Sequence, residues 1–144
     1  MFYDKLLIEL FRLLFWLKPK NKNSEFSLVE VMALTVLYKN QCDSKEDMLP
    51  SKLSKELGLS RSALSPILNE LERKGCIQRV LDEKDRRQII VQLKMNPNEF
   101  MSERKNEITK MLTVLSDDET KQLYEHLKKM NNSIEKSNNE LKKG

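Results

Sequence analysis

Apolar residues enter this chain first as a nearly continuous run, then at helical spacing, then in two β-branched stretches, and finally at helical spacing again. The run is "LLIELFRLLFWL" at 6–17, interrupted only by Glu9 and Arg12. It predicts a helix over residues 2–18 that is apolar nearly all round and is therefore buried on more than one side, with a second chain able to supply the other side. "SLVE" at 27–30 is a capping box that opens a second helix to about Gln41, which the polar "CDSKEDML" ends. A short third helix follows from about Ser51 to Leu57, stopped at Gly58 by a left-handed C-cap. Ser60 then starts a fourth helix, in which Leu64, Ile67, Leu68 and Leu71 form one core-facing stripe and "KG" at 74–75 closes the end.

Helix, tight glycine turn, helix is the sequence form of a helix-turn-helix. The next segments extend it: "CIQRVL" and "RQIIVQL" are strand-like runs on either side of a charged hairpin, which predicts a two-stranded wing. Beyond the wing, "NPNE" at 96–99 predicts an N-cap at Asn96 with Pro97 at the first helical position and Glu99 in the box, and a fifth helix to about Leu115. "SDDE" at 116–119 repeats the capping box and starts a sixth helix to about Leu141. Its Leu123, Leu127, Met130, Ile134 and Leu141 keep a spacing near 3.5, which suits packing against another long helix. The expected class is mainly α with a small β-wing: a winged helix-turn-helix flanked by long dimerisation helices. One domain is expected over 1–144, with 28–95 as the winged-helix part and 1–18 and 97–141 as dimerisation helices.

Composition changes this picture little, because 39% hydrophobic and 33% charged residues describe an ordinary globular chain of 144 residues. A run of twelve residues cannot span a bilayer, and neither "MFYDK" nor "KPKNK" suits a signal peptide, so no membrane association and a cytoplasmic setting are expected. Charge placement is more informative. Residues 50–94 hold ten Lys or Arg against six Asp or Glu, whereas the signs balance on either side, so the net +4 lies in the central third. An anionic partner is expected there.

On the fourth helix, the face opposite the leucine stripe carries Ser62, Pro66, Asn69 and Arg73, with Arg61 and Ser65 on its flanks. Such residues suit a recognition helix in a major groove: Asn can pair bidentately with adenine, Ser can bond to bases or phosphates, and an apolar ring can touch a thymine methyl. Pro66 lies past the first turn and forfeits a helical hydrogen bond at a cost of about 3 kcal/mol, so either the helix kinks there or Ser65 is the effective cap. In the wing, six charged residues run from Asp82 to Arg87 where a solvated turn needs only Gly, Asn, Asp or Pro.

The block "LPSKLSKELGLSRSALSPILNELERKGCIQR" and the hairpin "DEKDRR" resemble the MarR family of transcriptional regulators, winged-helix homodimers that mostly repress. The resemblance covers nearly the whole chain, and its most specific part is the wing, carried by Lys74, Gly75, Ile77, Arg79, Asp82, Asp85, Arg86 and Arg87. "ALSPILNELE" also looks like the recognition helix of the organic hydroperoxide sensors of that family, which makes Pro66 less anomalous. Those sensors carry a reactive cysteine in the first helical region, where this chain has none, so their redox chemistry does not carry over.

The resemblance implies binding to double-stranded DNA at a pseudo-palindromic operator, with Arg86 or Arg87 entering an A·T-rich minor groove and the other held by Asp82 or Asp85. Lys52, Lys55, Lys74 and Arg79 are expected as phosphate contacts, which give affinity without sequence information. It further implies a pocket between the dimer helices and the winged helix for a small apolar or aromatic effector, for which Phe11, Phe15 and Met32 are the candidates. Cys76 is expected in the core, and Cys42 sits beside Asp43, Glu46 and Asp47, which disfavour its thiolate. With His126 alone and two scattered cysteines, no metal site and no cofactor are expected, and no catalytic motif is visible. The alternatives are a redox- or metal-sensing regulator of the same fold, and a winged helix used for protein interaction.

Overall fold

The computed structural model describes residues 2–17, 26–44, 46–96 and 102–143. In chain order the elements are α1 (Phe2–Leu17), α2 (Leu28–Asp43), α3 (Pro50–Leu57), α4 (Arg61–Arg73), β1 (Ile77–Leu81), β2 (Ile89–Leu93), α5 (Ser102–Leu112) and α6 (Asp117–Lys143). They fall into two compact units, residues 1–105 and 106–144.

In the first unit, α2 begins at the expected capping box. Ser27 Oγ accepts from the Glu30 amide at 3.2 Å, and Glu30 Oε1 accepts from the Ser27 amide at 3.1 Å, which satisfies two otherwise orphaned donors. The helix runs two residues beyond Gln41, to Asp43, and packs against α3, α4 and β2. Gly58 closes α3 with φ 70° and ψ 27°, and the Leu59 amide returns to the Ser54 carbonyl at 2.9 Å. The turn to α4 is short because that left-handed residue reverses the chain at once. Gly75 repeats the device at φ 78°, with Cys76 N–H donating to the Leu71 carbonyl at 3.0 Å, and so feeds α4 directly into β1.

β1 and β2 pair antiparallel with Ile77 opposite Leu93 and Leu81 opposite Ile89. A one-residue bridge adds Met48, whose carbonyl accepts from the Val91 amide at 2.8 Å. The core lies where these elements converge. Leu34, Leu53, Leu64, Leu71 and Ile77 are its largest fully buried side chains, each contributing about 1.5–3 kcal/mol by burial. Cys76 is buried among them, as expected, and Cys42 is exposed.

The first helix is different. α1 buries none of its residues within the chain, and Leu6, Ile8, Phe11, Leu14, Phe15 and Trp16 are all exposed. The expected cap at Pro97 and Glu99 lies outside the described residues. α5 ends at Leu112 rather than Leu115: the Thr113 amide is shared between the Thr109 and Lys110 carbonyls at 3.1 and 3.3 Å, and the Leu115 amide turns back to Leu112 at 3.1 Å. α6 opens at the expected box, with Ser116 and Glu119 exchanging hydrogen bonds at 3.0 and 3.2 Å. Its Leu127, Met130 and Ile134 are exposed.

Candidate nucleic-acid interface

α4 is set by local chemistry at both ends. Ser60 caps it, its Oγ accepting from the Ala63 amide at 3.1 Å, and the leucines Leu64, Leu68 and Leu71 fasten one face to the core. The helix continues through Pro66 from Arg61 to Arg73, so Ser65 is not its cap. The missing Pro66 N–H is tolerated because the leucine face on both sides of it is anchored. Arg61, Ser62, Ser65, Pro66, Asn69 and Arg73 are all exposed, on the side away from that core. The sequence-predicted recognition set therefore shares one surface.

The wing loop is built from its aspartates. Asp82 Oδ1 accepts from the Lys84 amide at 3.0 Å, and Asp85 Oδ1 accepts from the Arg87 amide at 3.1 Å, two Asx-turns in succession. Gln88 N–H donates to the Asp85 carbonyl at 3.0 Å, which makes Arg86 and Arg87 the two central residues of a tight turn. The same Asp85 oxygen also receives Arg87 Nε at 3.2 Å, yet the Arg87 side chain is 92% exposed. Its backbone and the root of its guanidinium are fixed while the Nη groups face outward. Arg86 is exposed as well, and among the described residues it forms no ion pair.

The residues expected to touch phosphate divide. Lys55 is exposed. Lys52 lies 3.5 Å from Glu46 and 3.4 Å from Asn40 Oδ1, a loose surface arrangement. Lys74 is turned inward: its ammonium donates to Glu30 Oε2 at 2.8 Å and sits 4.9 Å from the centre of the Phe26 ring, with its side chain only 17% exposed. Arg79 is also engaged by other side chains of the protein, at the surface. It donates Nε to Glu72 Oε2 at 3.1 Å and Nη2 to Asn69 Oδ1 at 2.7 Å, and its backbone amide reaches the same Glu72 oxygen at 3.2 Å. For Lys74 and Arg79 the cation first serves to join elements, because each lies beside a carboxylate that the sequence separation hides.

These pairs set the local electrostatics. The hydrogen bond and charge of Arg79 hold the Glu72 carboxyl below its ordinary value, and Arg73 does the same to Glu70, which in turn raises the arginine. Glu70 and Arg73 are three residues apart on one helix, so their pairing was readable from spacing. Glu30 and Glu72 were missed as partners, because Glu30 lies 44 positions from Lys74 on another helix and Glu72 lies seven from Arg79 across the turn.

Phe11 and Phe15 are exposed on α1 and Met32 on α2, and none of them lines the cleft found in this unit. That cleft, of about 290 Å³, lies between the C-terminal part of α2 and β2, bordered by Leu37, Asn40, Glu46, Met48, Val91 and Leu93. Among the described residues no group of three or more His, Cys, Asp or Glu side chains is placed to hold a metal, and no helix is long and apolar enough to cross a membrane.

Comparison with known proteins agrees with this geometry. A model of the MarR family matches residues 26–88, which run from the start of α2 into the wing. The chain is 29% identical over 118 residues to the transcriptional repressor MprA of Escherichia coli (strain K12), covering 79% of this chain and 67% of that protein. Among solved structures it is similar to S. aureus MepR in its DNA-binding conformation, with a TM-score of 0.69 at 23% identity over 92% of this chain and 98% of that one. The regulator BldR of Sulfolobus solfataricus gives a TM-score of 0.59 at 24% identity, covering 78% of each chain.

Proposed function

We propose that this chain is a winged-helix protein of the MarR family, whose model matches residues 26–88, and that it is a sequence-specific transcriptional regulator of double-stranded DNA. The observation that carries the reading is the wing tip: Arg87 is anchored by Asp85 at its amide and Nε and otherwise exposed, on a hairpin that follows directly from α4. A cation held in that way loses little side-chain freedom on entering a narrow, electronegative minor groove. α4 supplies the major-groove surface through Arg61, Ser62, Ser65, Pro66, Asn69 and Arg73.

The regulator acts in the cytoplasm as a homodimer and a repressor. Residues 28–95 bind DNA, and residues 1–18 and 97–141 supply the dimer interface. The exposed apolar surface of α1 supports the dimer, since a monomer rarely leaves so large a patch uncovered. Two recognition helices related by a twofold axis require a pseudo-palindromic operator with half-sites about one DNA turn apart. A small apolar effector releases the repressor by favouring a dimer conformation with a different half-site spacing.

The test is selection of bound duplexes from a random library by the purified protein, followed by titration of the best duplex across salt concentrations. A two-half-site palindrome with A·T-rich flanks and an affinity that falls steeply with salt is expected. Absence of both enrichment and salt dependence refutes the reading.

A further inference from the structure

We propose that Asn69 reads a guanine in each half-site, because Arg79 already occupies its amide oxygen. The inference rests on α4 being the recognition helix. An asparagine side chain has one carbonyl oxygen and one NH2 group, and its bidentate pairing with adenine uses both: the oxygen accepts from N6 while the NH2 donates to N7. Here Arg79 Nη2 lies 2.7 Å from Asn69 Oδ1. A guanidinium has only donors, so the atom it faces is the oxygen and the orientation of the amide is fixed.

Arg79 is itself held. Its Nε and its backbone amide both donate to Glu72 Oε2, at 3.1 and 3.2 Å, and its Cα position is set by the pairing of β1 with β2. The Nε–Glu72 ion pair ties the wing to α4 and keeps the guanidinium beside Asn69. Two consequences follow. One lone pair of Oδ1 is consumed, and a positive charge stands beside the other, where it repels the N6 amino group of an approaching adenine. The NH2 group keeps both of its N–H bonds, polarised further by the cation on the same amide.

Guanine is the base whose major-groove edge offers two adjacent acceptors, O6 and N7. A single nitrogen carrying more than one hydrogen can serve both, as the lysine ammonium does at the same edge. Thymine offers one acceptor and a methyl group, and cytosine a donor. Arg79 is thus a positioning residue that selects among bases through Asn69 without touching one.

The experiment compares the unsubstituted protein with Asn69→Ala in the same binding selection at fixed salt. One position in each half-site should relax in N69A, and the wild-type protein should hold guanine there, with about tenfold weaker binding when the pair is changed to A·T. Replacing that guanine by 7-deazaguanine, which lacks the N7 acceptor, should lower wild-type affinity roughly fivefold and leave N69A unaffected. Arg79→Met, with its fold and dimer verified by circular dichroism and sedimentation, should move the preference at that position toward adenine. If Arg79→Met does not fold, the deazaguanine result decides alone. Adenine at the relaxed position, no relaxation in N69A, or indifference to 7-deazaguanine overturns the inference while leaving the DNA-binding reading intact. Failure of the wild-type protein to enrich any duplex overturns that reading and this inference with it.

Discussion

Lys74→Met separates a structural cation from a DNA-binding one. The ammonium of Lys74 is 2.8 Å from Glu30 Oε2, with the two side chains 17% and 10% exposed, and the other oxygen of Glu30 closes the capping box of α2 at Ser27. Removing the ammonium leaves a nearly buried carboxylate with one remaining hydrogen bond from the described structure and strips the cation from the Phe26 ring. Stripping one partner from a fully buried pair costs about 3–5 kcal/mol. The Ser27 amide and the residual water contact of Glu30 reduce this to about 2–3 kcal/mol. Urea unfolding followed by circular dichroism reads this as a midpoint lowered by roughly 1 M at unchanged slope. Protein concentration must be held fixed, since the stability of a dimer depends on it. Lys74→Met combined with Glu30→Gln should recover about 1–2 kcal/mol, because Gln keeps the Ser27 bond without the charge. An unchanged midpoint, together with weaker DNA binding and a salt slope reduced by about one, refutes the reasoning and returns Lys74 to the phosphate contacts.

Three further outcomes are expected. Arg87→Ala should weaken operator binding about tenfold and abolish the preference for A·T flanks, whereas Arg86→Ala should lower the salt slope and keep that preference; equal effects in a binding titration show that the Asp85 anchor confers nothing. Gly75→Ala should cost about 1 kcal/mol in the same urea experiment, entirely from backbone strain at φ 78°, since an added Cβ meets nothing within 4 Å; a loss of several kcal/mol contradicts this. Glu72 has a folded pKa below its ordinary 4.5, so its contribution to stability is present above that value and is lost as pH falls through the lower folded one; Glu72→Gln should flatten the acid limb of the urea midpoint measured below about pH 4.5, and an unchanged limb argues against the Arg79 pair.

Much of the fold was legible because it is specified by residues close in sequence. Both described capping boxes join positions three apart, the leucine stripe of α4 repeats over one helix, and Gly58 and Gly75 mark the two left-handed turns. The wing strands were readable for the same reason, and Asp85 was named beside the two arginines that follow it in the turn. What was not legible depends on closeness created by folding. Glu30 and Lys74 are 44 positions apart, and the Met48 bridge is a single residue with no pattern of its own. Pro66 gave a wrong alternative at Ser65, because local hydrogen-bond loss was weighed without the core contacts that hold α4 on both sides of it.

The same distinction governs the reading of charge. Counting lysines and arginines located the positive excess in residues 50–94, and the sum survives in the structure because pairing does not remove a residue from the chain. Hydrogen-bonding capacity is not conserved in that way. Lys74 and Arg79, read as phosphate contacts, have given theirs to Glu30, Glu72 and Asn69, whereas Lys55, Arg61, Lys84 and Arg86 form no ion pair among the described residues. These four donors sit on α3, at the start of α4 and at the wing tip, while the end of α4 is occupied in holding the wing in place. On the proposed reading, affinity falls to the first group, and at Asn69 the second group would set which base is accepted.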